Sequence, residues 1–229
     1  MRPREFLFGV TLLIIILVIW GISNNHPKMQ ERARNIQQNM FGLYIDGVIS
    51  TDVLTPSSPK CSLSKECPID HFAFKIVSGA ADVLGPKICF DGKIVMSGVM
   101  NNAGKGLNIV FVNGSNGNIE DFNFFDMYFE EPVKLLEFLK KIKPGMLVLV
   151  ASFDDPATKM NDEIRNIFVG LGSTLIKDVG FRDNWVFAGA AGIGEKSPFE
   201  KRSANDEKTN IYERWPEMVE IDGCFPRKI

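Results

Sequence analysis

Met146-Leu147-Val148-Leu149-Val150-Ala151-Ser152 is the stretch that organises this chain. It carries no charge and does not alternate polar with apolar residues, as a strand with one wet face must. Such a run predicts a buried strand at the centre of a sheet. Pro144-Gly145 sets it off from a helix over residues 132–141, where Pro132 suits the first turn and Val133, Leu136, Phe138 and Leu139 form an apolar stripe. On the other side, Pro156 stops the strand, and a second helix is expected over 160–171 with Ile164, Ile167, Phe168 and Leu171 inward and Gly172 as its cap.

Further strands are expected around this centre. Residues 72–76 alternate with period two. Residues 87–90 and 93–96 flank Asp91-Gly92, a two-residue hairpin turn. Residues 107–112 read as a buried strand that ends at Asn113-Gly114-Ser115-Asn116-Gly117, a run that tolerates positive φ. Short strands follow at 122–127 and 185–188, and the polar tail 195–222 is expected to be held by Trp215 and Cys224. The class is α/β or α+β, with helices packed on a central sheet.

The chain has 229 residues, 45% hydrophobic and 24% charged, enough for one domain with a sizeable core. A net charge of -2 without a basic block argues against nucleic-acid binding through phosphates. Arg2 and Arg4 precede an uncharged apolar run at 6–22, the pattern of a secretory signal ending near residue 23 or of an uncleaved anchor. Either one delivers the rest of the chain to an oxidising compartment, and a cleaved signal leaves no stable membrane insertion. Residues 24–60, which include Thr55-Pro56-Ser57-Ser58-Pro59, read as a flexible linker, and 61–229 as the folded domain. The cysteines, Cys61, Cys67, Cys89 and Cys224, fit two disulfides with three connectivities open. With only His26 and His71, a His/Cys zinc site is poorly supplied.

Chemistry concentrates in two places. Asp154-Asp155 directly follow the central strand, where carboxylates can accept hydrogen bonds from sugar hydroxyls or hold a cation. The alternative is that Asp155 is a turn or helix-capping residue leading into the next helix. Phe181-Arg182-Asp183-Asn184-Trp185 gathers a planar donor fork, a carboxylate, an amide and an indole ahead of a strand. The alternative there is an Arg–Asp ion pair above a core Trp. Asn113-Gly114-Ser115 fits a glycosylation sequon within a tight turn. No GxSxG, HExxH or unpaired nucleophilic cysteine is present. Adjacent carboxylates diverge rather than face one bond, so the chain is expected not to be an enzyme, with no catalytic residue, metal or cofactor.

Several runs carry a resemblance. Ser78-Gly79-Ala80-Ala81, Gly85-Pro86-Lys87-Ile88-Cys89, Ser152-Phe153-Asp154-Asp155-Pro156-Ala157-Thr158-Lys159, Phe181-Arg182-Asp183-Asn184-Trp185, Lys196-Ser197-Pro198-Phe199-Glu200 and Trp215-Pro216-Glu217 resemble the ILEI/PANDER family. The resemblance implies a GG-type lectin domain over 61–229: a compact β-β-α fold of two small sheets with short flanking helices. It implies the disulfides Cys61–Cys89 and Cys67–Cys224. It also implies carbohydrate contact by Asp154 and Arg182, and the placement of Asp183 and Trp185 beside Arg182 makes them the expected supporting wall. The expected function is a secreted, cytokine-like signal built on a sugar-binding module, with a glycan or a cell-surface glycoprotein or receptor as partner. The alternatives are a purely protein-binding secreted ligand with a vestigial pocket, and a Golgi-anchored enzyme or accessory subunit.

Overall fold

The computed structural model describes residues 59–227 except residue 193. The expected signal or anchor at 1–23 and most of the linker at 24–60 lie outside the described residues. The strands are β1 (His71–Val77), β2 (Lys87–Phe90), β3 (Lys93–Ser97), β4 (Gly106–Asn113), β5 (Ile119–Phe125), β6 (Met146–Phe153), β7 (Asn184–Ala190), β8 (Phe199–Ser203) and β9 (Glu220–Pro226); the helices are α1 (Val133–Leu139) and α2 (Asp162–Gly170).

The strands make two sheets, ordered β3-β2-β1-β9 and β5-β4-β6-β7-β8, with every neighbouring pair antiparallel. As expected from its composition, β6 is the middle strand of the larger sheet. Both of its faces are covered. Val148 and Val150 join Leu107, Ile109, Phe111, Trp185 and Phe187 in a core shared with α1 and α2. Leu147, Leu149 and Ala151 join Val110, Val112, Val186 and Ala188 in a second core against Phe72, Phe74 and Ile76 of the smaller sheet. The layers run sheet, sheet, helices, so the expected β-β-α architecture with two sheets and short helices is what the chain adopts.

Local chemistry explains the boundaries. Asp91 (φ 46°) and Gly92 (φ 87°) give the left-handed pair that joins β2 to β3. Asn161 caps α2, its side chain accepting from the Ile164 amide, and Gly172 beyond its end has φ 98°. In α1 the buried residues are Leu135, Phe138 and Leu139, whereas Val133 is exposed, which corrects the expected stripe. Phe138 stacks on Phe111 at 4.3 Å, and that contact sets which face of so short a helix turns inward. The tail holds two strands where none was expected. Both are edges with polar residues, and β9 pairs along the whole of β1.

Disulfides join Cys61 to Cys89 and Cys67 to Cys224. The first ties the segment entering the domain to β2, and the second ties it to the last strand.

Candidate functional site

The register of the larger sheet brings the candidate residues to one end of it. In the β4–β6 ladder Gly106 lies opposite Phe153, and one step further sets Lys105 beside Asp154. Continuing the β6–β7 register past Ala151 opposite Val186 leads to Asp155 and Arg182. The strands are antiparallel, so this edge collects the end of β6 and the starts of β4 and β7. The rule for parallel sheets that ligands gather beyond strand C-termini does not govern it. What the edge shares with such sites is a cluster of loops on a rigid, buried sheet.

These loops enclose a cleft of about 340 Å³, within the size range of small-ligand sites, lined among others by Lys105, Asp154, Asp155, Phe181, Arg182 and Trp215. Asp154 is fixed from two sides. The Trp215 indole donates to one carboxylate oxygen at 3.0 Å, and the Lys105 ammonium lies 2.8 Å from the other. Lys105 also lies 3.8 Å from Asp82. Its hydrogen bond to Asp154 is the foremost influence holding its ammonium above the ordinary lysine value; burial pulls the other way, and the charges of Asp154, Asp82 and Asp126 reinforce the rise.

Arg182 places its guanidinium over two rings, 4.3 Å from the centre of Trp215 and 4.7 Å from that of Phe181. Asp155 turns away from Asp154 into the protein and is 3% exposed. One oxygen accepts from the amides of Ala157 (2.9 Å), Thr158 (3.3 Å) and Arg182 (3.5 Å). Its other oxygen and the Arg182 Nε are buried without a hydrogen-bond partner among the described residues. Asp154 (φ 62°) and Arg182 (φ 59°) both sit in the left-handed region, which costs a non-glycine residue about 1–2 kcal/mol. Ala81 (φ 51°) and Glu213 (φ 55°), each directly before a cleft residue, do the same.

Two expected wall residues do not reach the cleft. Trp185 is fully buried in the helix-side core, its ring stacked 5.6 Å from Phe187, with its indole donating to Glu200 at 2.9 Å. Asp183, 3% exposed, accepts from the amides of Gly180 and Asn205, each at 2.7 Å, and from Arg202 at 2.6 Å; it is a loop anchor, and its arginine partner is Arg202 rather than Arg182. The indole that does line the cleft is Trp215. Its neighbours on the rim are Tyr128, Phe129 and Phe181, with Phe129 76% exposed. The sequence signal for Trp215 is a bulky residue in a polar tail, which reads as an anchor. Only the fold brings that tail back to Asp154.

Asn113 lies at the end of β4. Its side-chain oxygen accepts from the Ser115 hydroxyl at 2.7 Å and amide at 3.1 Å, and its side-chain nitrogen donates to Glu120 at 3.1 Å. No group of three or more His, Cys, Asp or Glu among the described residues is arranged to hold a metal ion. A larger hollow of about 480 Å³ lies beside the Cys61–Cys89 disulfide, but two of the lysines in its wall already have carboxylate partners, Lys60 with Asp91 and Lys75 with Glu220.

Residues 105–193, which run from Lys105 through β4, β6 and β7 and include Asp154 and Arg182, match the family model described as interleukin-like EMT inducer. Protein FAM3D of Mus musculus is 44% identical over 229 residues, covering all of both chains. Protein FAM3C of Homo sapiens is 52% identical over 173 residues, 76% of each chain. Protein FAM3A of Homo sapiens is 42% identical over 220 residues, 96% of this chain and 91% of its own. With a relative this similar along its entire length, the chain belongs to the interleukin-like EMT inducer family of cytokine-like proteins that includes FAM3A, FAM3C and FAM3D.

Proposed function

We propose that the protein is a secreted, cytokine-like signal whose cleft binds carbohydrate without turning it over. The observation that carries this reading is the meeting of Asp154, Arg182 and Trp215 in one cleft, with side-chain orientations set by mutual contacts. A carboxylate and a guanidinium supply an acceptor and a donor for sugar hydroxyls, and an indole supplies an apolar face. The reading without turnover is supported by the two carboxylates not converging on one point: Asp154 is ion-paired with Lys105, and Asp155 points away to cap a turn. The two disulfides support maturation in an oxidising compartment, consistent with export.

The test is a glycan array probed with the wild type, Asp154→Asn and Arg182→Asn. Asparagine tolerates the left-handed backbone at both positions, so loss of binding reads the side chain rather than the turn. Each variant is expected to weaken binding about tenfold or more. Equal binding by all three would remove the cleft from the function. A protein partner is the second reading, favoured by the exposed rim of Tyr128, Phe129 and Phe181. Cell binding that survives enzymatic deglycosylation and is lost in Phe129→Ser would select it.

A further inference from the structure

The carboxylates of the cleft outnumber its cations, yet their charges are largely engaged. Lys105 lies within ion-pair distance of Asp154 and Asp82. Asp126 accepts from the amides of Tyr128 (2.9 Å) and Phe129 (3.0 Å), and one oxygen of Asp155 is taken up by its own turn. The two arginines stand differently. Among the described residues neither Arg182 nor Arg214 has a carboxylate partner. The Arg182 guanidinium lies over the rings of Phe181 and Trp215 and has a buried, unpartnered Nε. Ring faces attract a cation but do not replace an anion at the donor edge of the guanidinium.

Arg214 is exposed and lies in a hydrogen-bonded turn. Tyr212 and Trp215 exchange backbone hydrogen bonds, each 3.1 Å, across a two-residue turn formed by Glu213 and Arg214. The Trp215 indole bond to Asp154 then fastens this turn to the end of β6. The cleft thus holds two arginines without a carboxylate partner among the described residues: Arg182, whose guanidinium lies 4.3 Å from the centre of the Trp215 ring, and Arg214, the residue before Trp215 in the chain.

We propose that the cleft selects a carbohydrate bearing an acidic group, whose negative charge Arg214 and Arg182 read. This rests on the carbohydrate reading of the cleft and deepens it to sugar acids such as uronates. Arg214 is the specificity-determining residue, because it meets the ligand from outside the part of the cleft that Asp154 already organises.

The test compares methyl β-glucuronide with methyl β-glucoside, which differ only in a carboxylate for a hydroxymethyl group. The purified protein is followed by the indole NMR signals of its tryptophans. Trp215 reports on the cleft, and Trp185, bonded to Glu200 in the core, reports on the fold. The glucuronide is expected to shift Trp215 with about tenfold tighter binding than the glucoside. The preference should shrink at 1 M salt, where the screening length is about 3 Å. Arg214→Ala should abolish it with Trp185 unmoved, and Arg214→Lys should retain part of it. Equal binding of the two sugars to the wild type, or an undiminished preference in Arg214→Ala, overturns this inference and leaves the carbohydrate reading standing. Sodium acetate acting as strongly as the glucuronide also overturns it. If neither sugar moves Trp215, the carbohydrate reading falls and this inference with it.

Discussion

Asp154 shows how much a single residue carries when the register of a sheet chooses its neighbours. Its left-handed backbone turns the chain out of β6, and its two oxygens meet groups from distant parts of the sequence, Lys105 and Trp215. The partner whose charge it holds is Lys105, whose ammonium is kept above its ordinary value of 10.5 chiefly by the bond to Asp154. A folded-state value raised above the unfolded one contributes stability that is complete below about pH 10.5 and is lost as pH rises through the folded value. Because the lysine is half exposed, the contribution is that of a surface pair, below about 1 kcal/mol. Asp154→Asn should bring the Lys105 titration back down toward 10.5, read from its side-chain NMR shifts between about pH 9 and 12. An unchanged titration would mean that Asp82 and Asp126, rather than Asp154, hold the charge.

At the scale of elements, the start of β4 is the tightest point of the sheet edge that frames the cleft. Gly106 has φ 95°, and a Cβ there would lie 1.9 Å from the Phe125 carbonyl oxygen. Gly145 has a similar φ of 82° with nothing within 4 Å of that position. Gly145→Ala should therefore cost only the backbone preference, about 1 kcal/mol, whereas Gly106→Ala should cost about 3 kcal/mol or more, compared by urea denaturation. Similar losses would show that β5 moves aside freely. The legibility of the sequence divides along the same lines. The run from Met146 to Ser152 announced its place because only a strand covered on both faces is apolar throughout. Strands β8 and β9, with sequences FEKRS and EIDGCFP, are edges, and their period is broken by charge, Gly and Pro; only pairing with β7 and β1 identifies them. Asp154 and Arg182 were legible as loop residues at the ends of apolar strands. Trp185 misled because an indole at the start of a strand suits a pocket wall or a core equally. Its two-residue spacing from Phe187 puts both rings on the helix side.

For the whole molecule, the closing of the chain upon itself decides whether the cleft persists. Trp215 and Arg214 belong to the segment between β8 and β9, and β9 is an edge strand held by β1 along one side and by Cys224. The Cys67–Cys224 bond spans 157 residues, whereas Cys61–Cys89 spans 28. In the chain-entropy account these loops correspond to about 5 and about 3.6 kcal/mol respectively, so the long link should matter more by about 1.5 kcal/mol. Replacing Cys67 and Cys224 together by Ser should thus lower stability further than replacing Cys61 and Cys89, as measured by denaturant midpoints at equal slope. The two losses should also differ in kind. Without the long link, β9 and the preceding segment are freed to open locally, and amide exchange should quicken at Trp215 and Glu220 before it does in β6. Without the short link, faster exchange should be confined to the residues around Cys61 and the β2–β3 hairpin, leaving the Trp215–Asp154 contact in place. If both double variants lost protection evenly across the two sheets, the cleft would be no more dependent on the chain's last strand than any other part of the fold.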